Sequence, residues 1–359
     1  MQTYRVAVIP GDGIGNEVIP AAIRVLEAAG ERSQVQFAWE HFSWGSAHYL
    51  EHGRMMPADA LDRLRPFDAI FFGAVGDPRL QDNVTLNGLL LPIRRGFDQY
   101  ACVRPAVLYP GVRCPLAGRQ PGEIDIVVVR ENTEGEYGQV GGLLHTGGSH
   151  EVAVQSAVFT RHGTERVIRF AFELTRRRNR KRLLTSVTKS NAQGFSMGFW
   201  DRVFSDVARE YPDIRTDSLL VDAACMDLVR RPETFDVMVA SNLFGDILTD
   251  LSAGITGSLG LAPSANLNPE KTFPSMFEPV HGSAPDIAGR GIANPMATIL
   301  AGAQMLDFLG EPVAARLTED AVLGVLAAQL ELTPDLGGSG TTESVTGRIV
   351  AHVNAQHVT

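Results

Sequence analysis

Phe235-Asp236-Val237-Met238-Val239-Ala240 runs directly into Ser241-Asn242-Leu243-Phe244-Gly245-Asp246-Ile247-Leu248-Thr249-Asp250. The first six residues read as a buried strand and the next ten as the start of a helix. A strand feeding a helix without a break is half of a βαβ unit, and it points to an α/β fold. On that helix Asp246 and Asp250 stand at i and i+4, one turn apart on one face. Like charges so close repel, and a fold tolerates them mainly when a cation sits between them. All-oxygen ligation favours a hard divalent ion, Mg2+ or Mn2+. A solvated helix face is the plain alternative. Leu243, Phe244, Ile247, Leu248 and Leu251 crowd the helix, which implies burial and favours the metal.

The same alternation extends outward. Val6–Ile9, Val35–Phe42, Ala69–Phe72, Ile124–Arg130, Val152–Phe159, Leu183–Val187 and Ser218–Val221 read as strands. Glu17–Ala29, Ala58–Leu64, 164–178, Met296–Leu309, Ala321–Leu332 and Thr341–Val353 read as helices. The pattern predicts a mainly parallel sheet. Between two of the strands, Glu131–Ser149 is rich in glycine and reads as an exposed hairpin or arm of the kind that pairs with a partner subunit.

With 359 residues, two lobes on one continuous sheet are expected. The 44% hydrophobic and 20% charged content is that of an ordinary globular chain, and a net charge of −9 argues against nucleic acid or an anionic membrane as a partner. The basic run Arg176, Arg177, Arg178, Arg180, Lys181, Arg182 reads as the solvated C-terminal end of a helix. Three cysteines, Cys102, Cys114 and Cys225, lack zinc-ligand spacing and suit reduced thiols. The first residues enter a strand at once, without a signal-peptide pattern, and no stretch is long enough to cross a bilayer. The expectation is a cytoplasmic protein.

Pro10-Gly11-Asp12-Gly13-Ile14-Gly15-Asn16 invites a Rossmann assignment, but G-x-G-x-x-G needs glycine where Asn16 stands. It reads instead as a tight strand-to-helix turn near the cofactor. Arg94, Arg104 and Arg130 lie at or near predicted strand ends or before a proline, where the backbone places them. Guanidinium forks bind carboxylates bidentately. With a metal site, the three suggest a dicarboxylate substrate.

Ile9–Gly15, Arg130–Tyr137, Thr188–Asn191, Asn242–Asp250, Phe277–Asp286 and Gly291–Pro295 together resemble the β-decarboxylating dehydrogenases. That family holds the isocitrate, 3-isopropylmalate, homoisocitrate and tartrate/D-malate dehydrogenases. The resemblance spans nearly the whole chain and implies the isopropylmalate dehydrogenase-like two-lobed α/β/α fold, which is not Rossmann. One lobe would combine residues 1–98 and 256–359 and hold the cofactor. The other, 99–255, would carry the dimer interface and the arm, 131–159. It implies that Arg94, Arg104 and Arg130 hold the malate core. By the same resemblance Asp222 would join Asp246 and Asp250 as metal ligand, Lys189 with Asp222 would remove the 2-hydroxyl proton, and Tyr137 would protonate the enolate left by CO2. Lys189 and Asp222 come from the neighbouring subunit in that family, so the working unit would be a homodimer with shared sites. Regulatory family members that bind without turnover lose catalytic residues; here all of these are present.

The loop His281, Gly282, Ser283, Ala284, Pro285, Asp286 resembles the family's adenosine loop, with Asn294 at the adenine. Asp286 would accept from a ribose 2′-hydroxyl and repel a 2′-phosphate, which favours NAD. The implied cofactors are NAD and Mn2+ or Mg2+, with room for a monovalent cation such as K+. Thr85–Leu91 looks most like the tartrate/D-malate type, and Asn87, where that type has Trp, is expected to decide the group accepted at C3. D-malate or tartrate ranks first and 3-isopropylmalate second.

Overall fold

The computed structural model describes residues 2–356. Among the described residues twelve strands form, in chain order: β1 Gln2–Gly11, β2 Val35–His41, β3 Ala69–Ala74, β4 Ala101–Val107, β5 Asp125–Glu131, β6 Gly135–Leu144, β7 Val152–Val158, β8 Leu183–Thr188, β9 Arg215–Leu220, β10 Val237–Ala240, β11 Pro263–Leu267 and β12 Ser275–Pro279. Ten of them make one sheet in the order β2-β1-β3-β12-β11-β4-β5-β10-β8-β9, while β6 and β7 pair separately as the arm. β2, β1, β3 and β12 run parallel, as do β5, β10, β8 and β9. Antiparallel pairing of β12 with β11, β11 with β4 and β4 with β5 joins them, so the two parallel halves run in opposite directions.

Side chains alternate across a strand. In β1, Val6 and Val8 enter the larger core cluster, with the helices Gly15–Ser33, Met296–Leu309, Pro312–Ala328 and Thr342–Ala355. Ala7 and Ile9 face the other way, into a smaller cluster with Ile70, Phe72, Met276, Leu89, Leu90 and Ile93. The helix Gly15–Ser33 forms because Val18, Ile19, Ala22, Val25, Leu26 and Ala29 recur on one buried stripe. Each large apolar side chain so buried contributes about 1.5–3 kcal/mol.

Most expected elements are present, with differences. The helix expected over Ala321–Leu332 spans Pro312–Ala328, starting at a proline suited to the first turn. Residues 82–96, for which the sequence reading names no element, form a continuous helical stretch with a π turn at Leu86–Leu90. The strand expected to reach Val221 ends at Leu220, and Val221 opens the helix Val221–Arg230, which puts Asp222 in a first turn. Burial of the helix Asn242–Ile255 is partial. Phe244 and Leu248 are buried, but Leu243 and Ile247 are exposed, because they lie on the stripe turned away from the sheet.

Half of the basic run is ion-paired rather than free. Arg176 meets Asp213 at 2.7 Å, Arg178 meets Asp236 at 2.9 Å, and Arg178 and Arg180 both meet Asp125. Among the described residues no helix is long and apolar enough to cross a membrane.

Candidate active site

Sheet register builds the site. Cys102 stands opposite Arg130 and also opposite Asn266. Arg104 lies two residues along β4, Ser264 two along β11, and Ser264 faces Glu278 on β12. With a side-chain period of two, Arg104, Cys102, Arg130, Asn266, Ser264 and Glu278 all project from one face. This is the face of the smaller apolar cluster, since Met276 shares it with Glu278.

The polar groups hold one another. Arg104 donates from Nε to Ser264 Oγ at 3.2 Å and from Nη1 to Thr249 Oγ1 at 2.8 Å and Asp246 Oδ1 at 3.2 Å. Arg130 donates to Asn242 Oδ1 from Nε at 3.0 Å and Nη2 at 2.7 Å, and pairs through Nη1 with Asp246. Gly245 lets this happen: a Cβ there would stand 2.6 Å from Arg130 Cβ. Arg94 reaches Glu278 Oε1 at 2.7 Å, and both side chains are buried. Asn266 also donates to that oxygen at 2.8 Å. Arg94 Nε is buried without a partner, a donor left over for a ligand.

Tyr137, at the base of the arm, donates from Oη to Asp246 Oδ2 at 2.9 Å. Burial and then the charge of Asp246 push its phenol above the usual range. Burial works against ionisation of Asp246, but Arg130, Arg104 and the Tyr137 hydroxyl outweigh it and hold the carboxyl below the usual range. Asp250 behaves oppositely: partial desolvation, then the charge of Asp246, push it up. It sits exposed, one turn further along the helix. A carboxylate pair of this kind fits a hard divalent ion.

Arg94, Arg104, Arg130, Tyr137, Asp246, Glu278, His281 and Gly282 line one cleft of about 170 Å³, with Phe72, Val75, Leu86 and Leu90 on its apolar side. Leu86 and Leu90, four residues apart across the π turn, face it. Asn87 is not in the lining, and a Cβ on Gly88 would meet Met55 at 2.5 Å, inside the smaller core cluster. Position 87, expected to decide the C3 group, therefore does not line this cleft, and Leu86 and Leu90 do. Helical geometry at 82–96, which the sequence pattern did not announce, turns Asn87 aside.

Lys189 and Asp222 stand together, Nζ to Oδ1 at 2.6 Å, and this bond holds the Asp222 carboxyl low. Among the described residues no three acidic, histidine or cysteine side chains converge on a metal-sized site, so Asp222 does not join Asp246 and Asp250 within one chain.

The expected cofactor loop borders the cleft. Ile14 N donates to Ser283 O at 2.9 Å, and Gly13, at φ +53°, packs so close that a Cβ would stand 2.1 Å from that oxygen. Gly13 thus admits the 281–286 loop. Glu17 holds the loop's end, accepting from Gly289 N at 2.6 Å and Gly291 N at 2.9 Å. Ser283 is buried, Ala284 packs with Ile287 against Ile14 and Val18, and Pro285 and Asp286 are exposed. Burial pushes the His281 imidazole below its usual range, and its Nε2 has no partner. Asn294 donates to Asp335 Oδ2 at 3.0 Å, where Ser258 Oγ also donates at 2.7 Å.

Glu278, Ser264, Thr249, Asn242, Glu17 and Asp335 escaped the sequence reading. Glu278 carried a signal, an acid between Phe277 and Pro279 in an apolar strand.

The isocitrate/isopropylmalate dehydrogenase family matches residues 5–351. The D-malate dehydrogenase (decarboxylating) of Escherichia coli (strain K12) is 55% identical over 357 residues, 97% of this chain and 98% of that protein. The tartrate dehydrogenase/decarboxylase of Pseudomonas putida is 49% identical over 350 residues, 96% of each. The crystal structure of isocitrate dehydrogenase from Methylococcus capsulatus matches with a TM-score of 0.89 at 40% identity, over 98% of this chain and 99% of that one. The chain belongs to the isocitrate/isopropylmalate dehydrogenase family and is an oxidoreductase.

Proposed function

We propose that the chain oxidises and decarboxylates a small 2-hydroxy dicarboxylic acid, D-malate or tartrate, with NAD and Mn2+ or Mg2+. The observation that carries this reading is the cleft itself: Arg94, Arg104 and Arg130 converge around Asp246, with Tyr137 as a protonated donor beside it. The relatives named for D-malate and tartrate support the choice of acid.

Arg104 and Arg130 offer paired guanidinium groups to the substrate's carboxylates, and the unpartnered Nε of Arg94 supplies one further donor. A divalent ion held by Asp246 and Asp250, with Asp222 supplied from a second copy, would acidify the 2-hydroxyl and stabilise the negative charge left on the substrate when CO2 departs. The 281–286 loop would hold NAD, which would supply the hydride acceptor, and Asp286 would disfavour a 2′-phosphate there. Lys189, bonded to Asp222, takes the hydroxyl proton. Tyr137 returns a proton to C3 after CO2 departs.

A homodimer with shared sites is part of this reading, and two features support it. Lys189 and Asp222 pair with each other. Met226 and Val229 on one helix, and Leu243 and Ile247 on the next, are exposed apolar residues, as are Leu143, Leu144, Val152 and Val154 on the arm. An apolar face of this extent suits a second copy. We read 1–98 with 256–359 as the cofactor lobe and 99–255 as the interface lobe.

The apolar wall of Leu86 and Leu90 favours 3-isopropylmalate as the second reading. A panel of D-malate, tartrate, 3-isopropylmalate and isocitrate, assayed with NAD and Mn2+, separates the two. D-malate or tartrate should give the highest kcat/KM; 3-isopropylmalate in first place would install the second reading.

A further inference from the structure

Ser241 caps the helix Asn242–Ile255 by position, yet its hydroxyl makes no capping bond. A serine there ordinarily accepts from the second or third helical N–H. Here Ser241 Oγ instead donates to Glu136 Oε1 at 2.7 Å, and Glu136 Oε2 accepts from Leu243 N at 3.1 Å. A carboxylate from the arm thus does the work of the cap and suits the positive end of the helix. The next arm residue, Tyr137, bonds Asp246 one turn into the same helix. The register irregularity of β6 between Gly135 and Val140 lets two consecutive residues reach one helix.

We propose that Glu136 is a positioning residue: by tying the arm to the first turn of the Asn242–Ile255 helix, it sets the distance between the Tyr137 hydroxyl and Asp246. The inference rests on the roles proposed above for those two residues. It predicts a separation of effects that ordinary capping would not give. In E136A, Ser241 is free to rotate and cap the helix in the usual way, so the helix keeps its stability while the tie to the arm is lost. Gln keeps the reach, offering an oxygen to Leu243 N and an amide hydrogen to Ser241 Oγ. Asp keeps the charge but is one methylene short.

The test measures kcat, KM, thermal midpoint and Mn2+ affinity, the last by electron paramagnetic resonance of free Mn2+, for E136A, E136Q and E136D. E136A and E136D should lose about 10- to 100-fold in kcat and weaken Mn2+ binding within that range. KM should stay within about twofold. E136Q should keep most of both kcat and affinity. Wild-type kcat and Mn2+ affinity in E136D, or a loss in E136Q as deep as in E136D, would overturn the proposal, the latter by showing that reach alone does not restore the tie. If E136A does not fold, E136D and E136Q carry the same comparison. Turnover is read on whichever 2-hydroxy acid the wild type oxidises. A wild type that oxidises none would sink the function proposed above, while Mn2+ affinity still decides the role of Glu136.

Discussion

The Tyr137 hydroxyl donates to Asp246 across 2.9 Å, and the two groups are shifted in opposite directions: the phenol up, the carboxyl down. The proton between them therefore stays on tyrosine, as the role proposed for Tyr137 requires. Tyr137→Phe removes that donor and leaves the ring in place. We expect kcat to fall about 10²- to 10⁴-fold, the usual worth of a general acid, with a small change in KM. A variant within threefold of wild type would remove Tyr137 from the chemistry.

The Arg94–Glu278 pair gives a prediction about stability. Both side chains are buried, and Glu278 is also the acceptor for Asn266. Glu278→Ala strands a buried guanidinium and should cost about 3–5 kcal/mol in chemical denaturation. A loss under about 1 kcal/mol, the worth of a surface pair, would contradict the burial.

Glu131 gives a pH dependence. Burial pushes its carboxyl up to about 7, against bonds from Thr133 and Glu134 that favour the ionised form. Between its ordinary value and about 7, the folded chain holds this proton more tightly than the unfolded chain does. Its stabilising contribution is thus full in acid and fades as pH rises through that window. Glu131→Gln stays neutral throughout, so the thermal midpoint of the variant minus that of wild type should grow from pH 5 to 8. A constant difference would mean that Glu131 is already ionised when folded.

The NAD preference proposed above rests on Asp286. Asp286 is exposed, so Asp286→Lys should be tolerated, whereas Ile287 packs with Ile14 and Val18. The double variant with Ile287→Tyr should therefore move preference toward NADP and lower the thermal midpoint; Asp286→Lys alone should do only the former. A wild type that prefers NADP would reverse the assignment.

Substrate discrimination should follow the cleft lining. Leu90→Ala opens room beside C3 and should raise kcat/KM for 3-isopropylmalate relative to D-malate about 10-fold. Substitutions at Asn87 should move that ratio less. The opposite ranking would mean that the 82–96 helix turns differently when substrate binds.

Much of this was legible in the chain. Continuous apolar runs such as Ala69–Phe72 and Val237–Ala240 announce buried strands, and the Asp246–Asp250 spacing announces a carboxylate pair on a helix. The antiparallel seam was not legible. Pro105 interrupts the pattern of β4, and Asn266 and Ser264 place polar groups in β11, so both strands look like loops until pairing covers them. That seam puts Arg104 and Arg130 on one face, which spacing along the chain cannot reveal. Periodicity also showed that Leu243 and Ile247 are apolar, but not whether the same chain covers them.

The most direct test follows NADH and CO2 together from purified protein given D-malate, NAD and Mn2+, with and without a chelator. Our account predicts equal amounts of both products, formed at the same rate and lost when the metal is removed. NADH without CO2, or turnover that persists at full rate in the chelator, would contradict it.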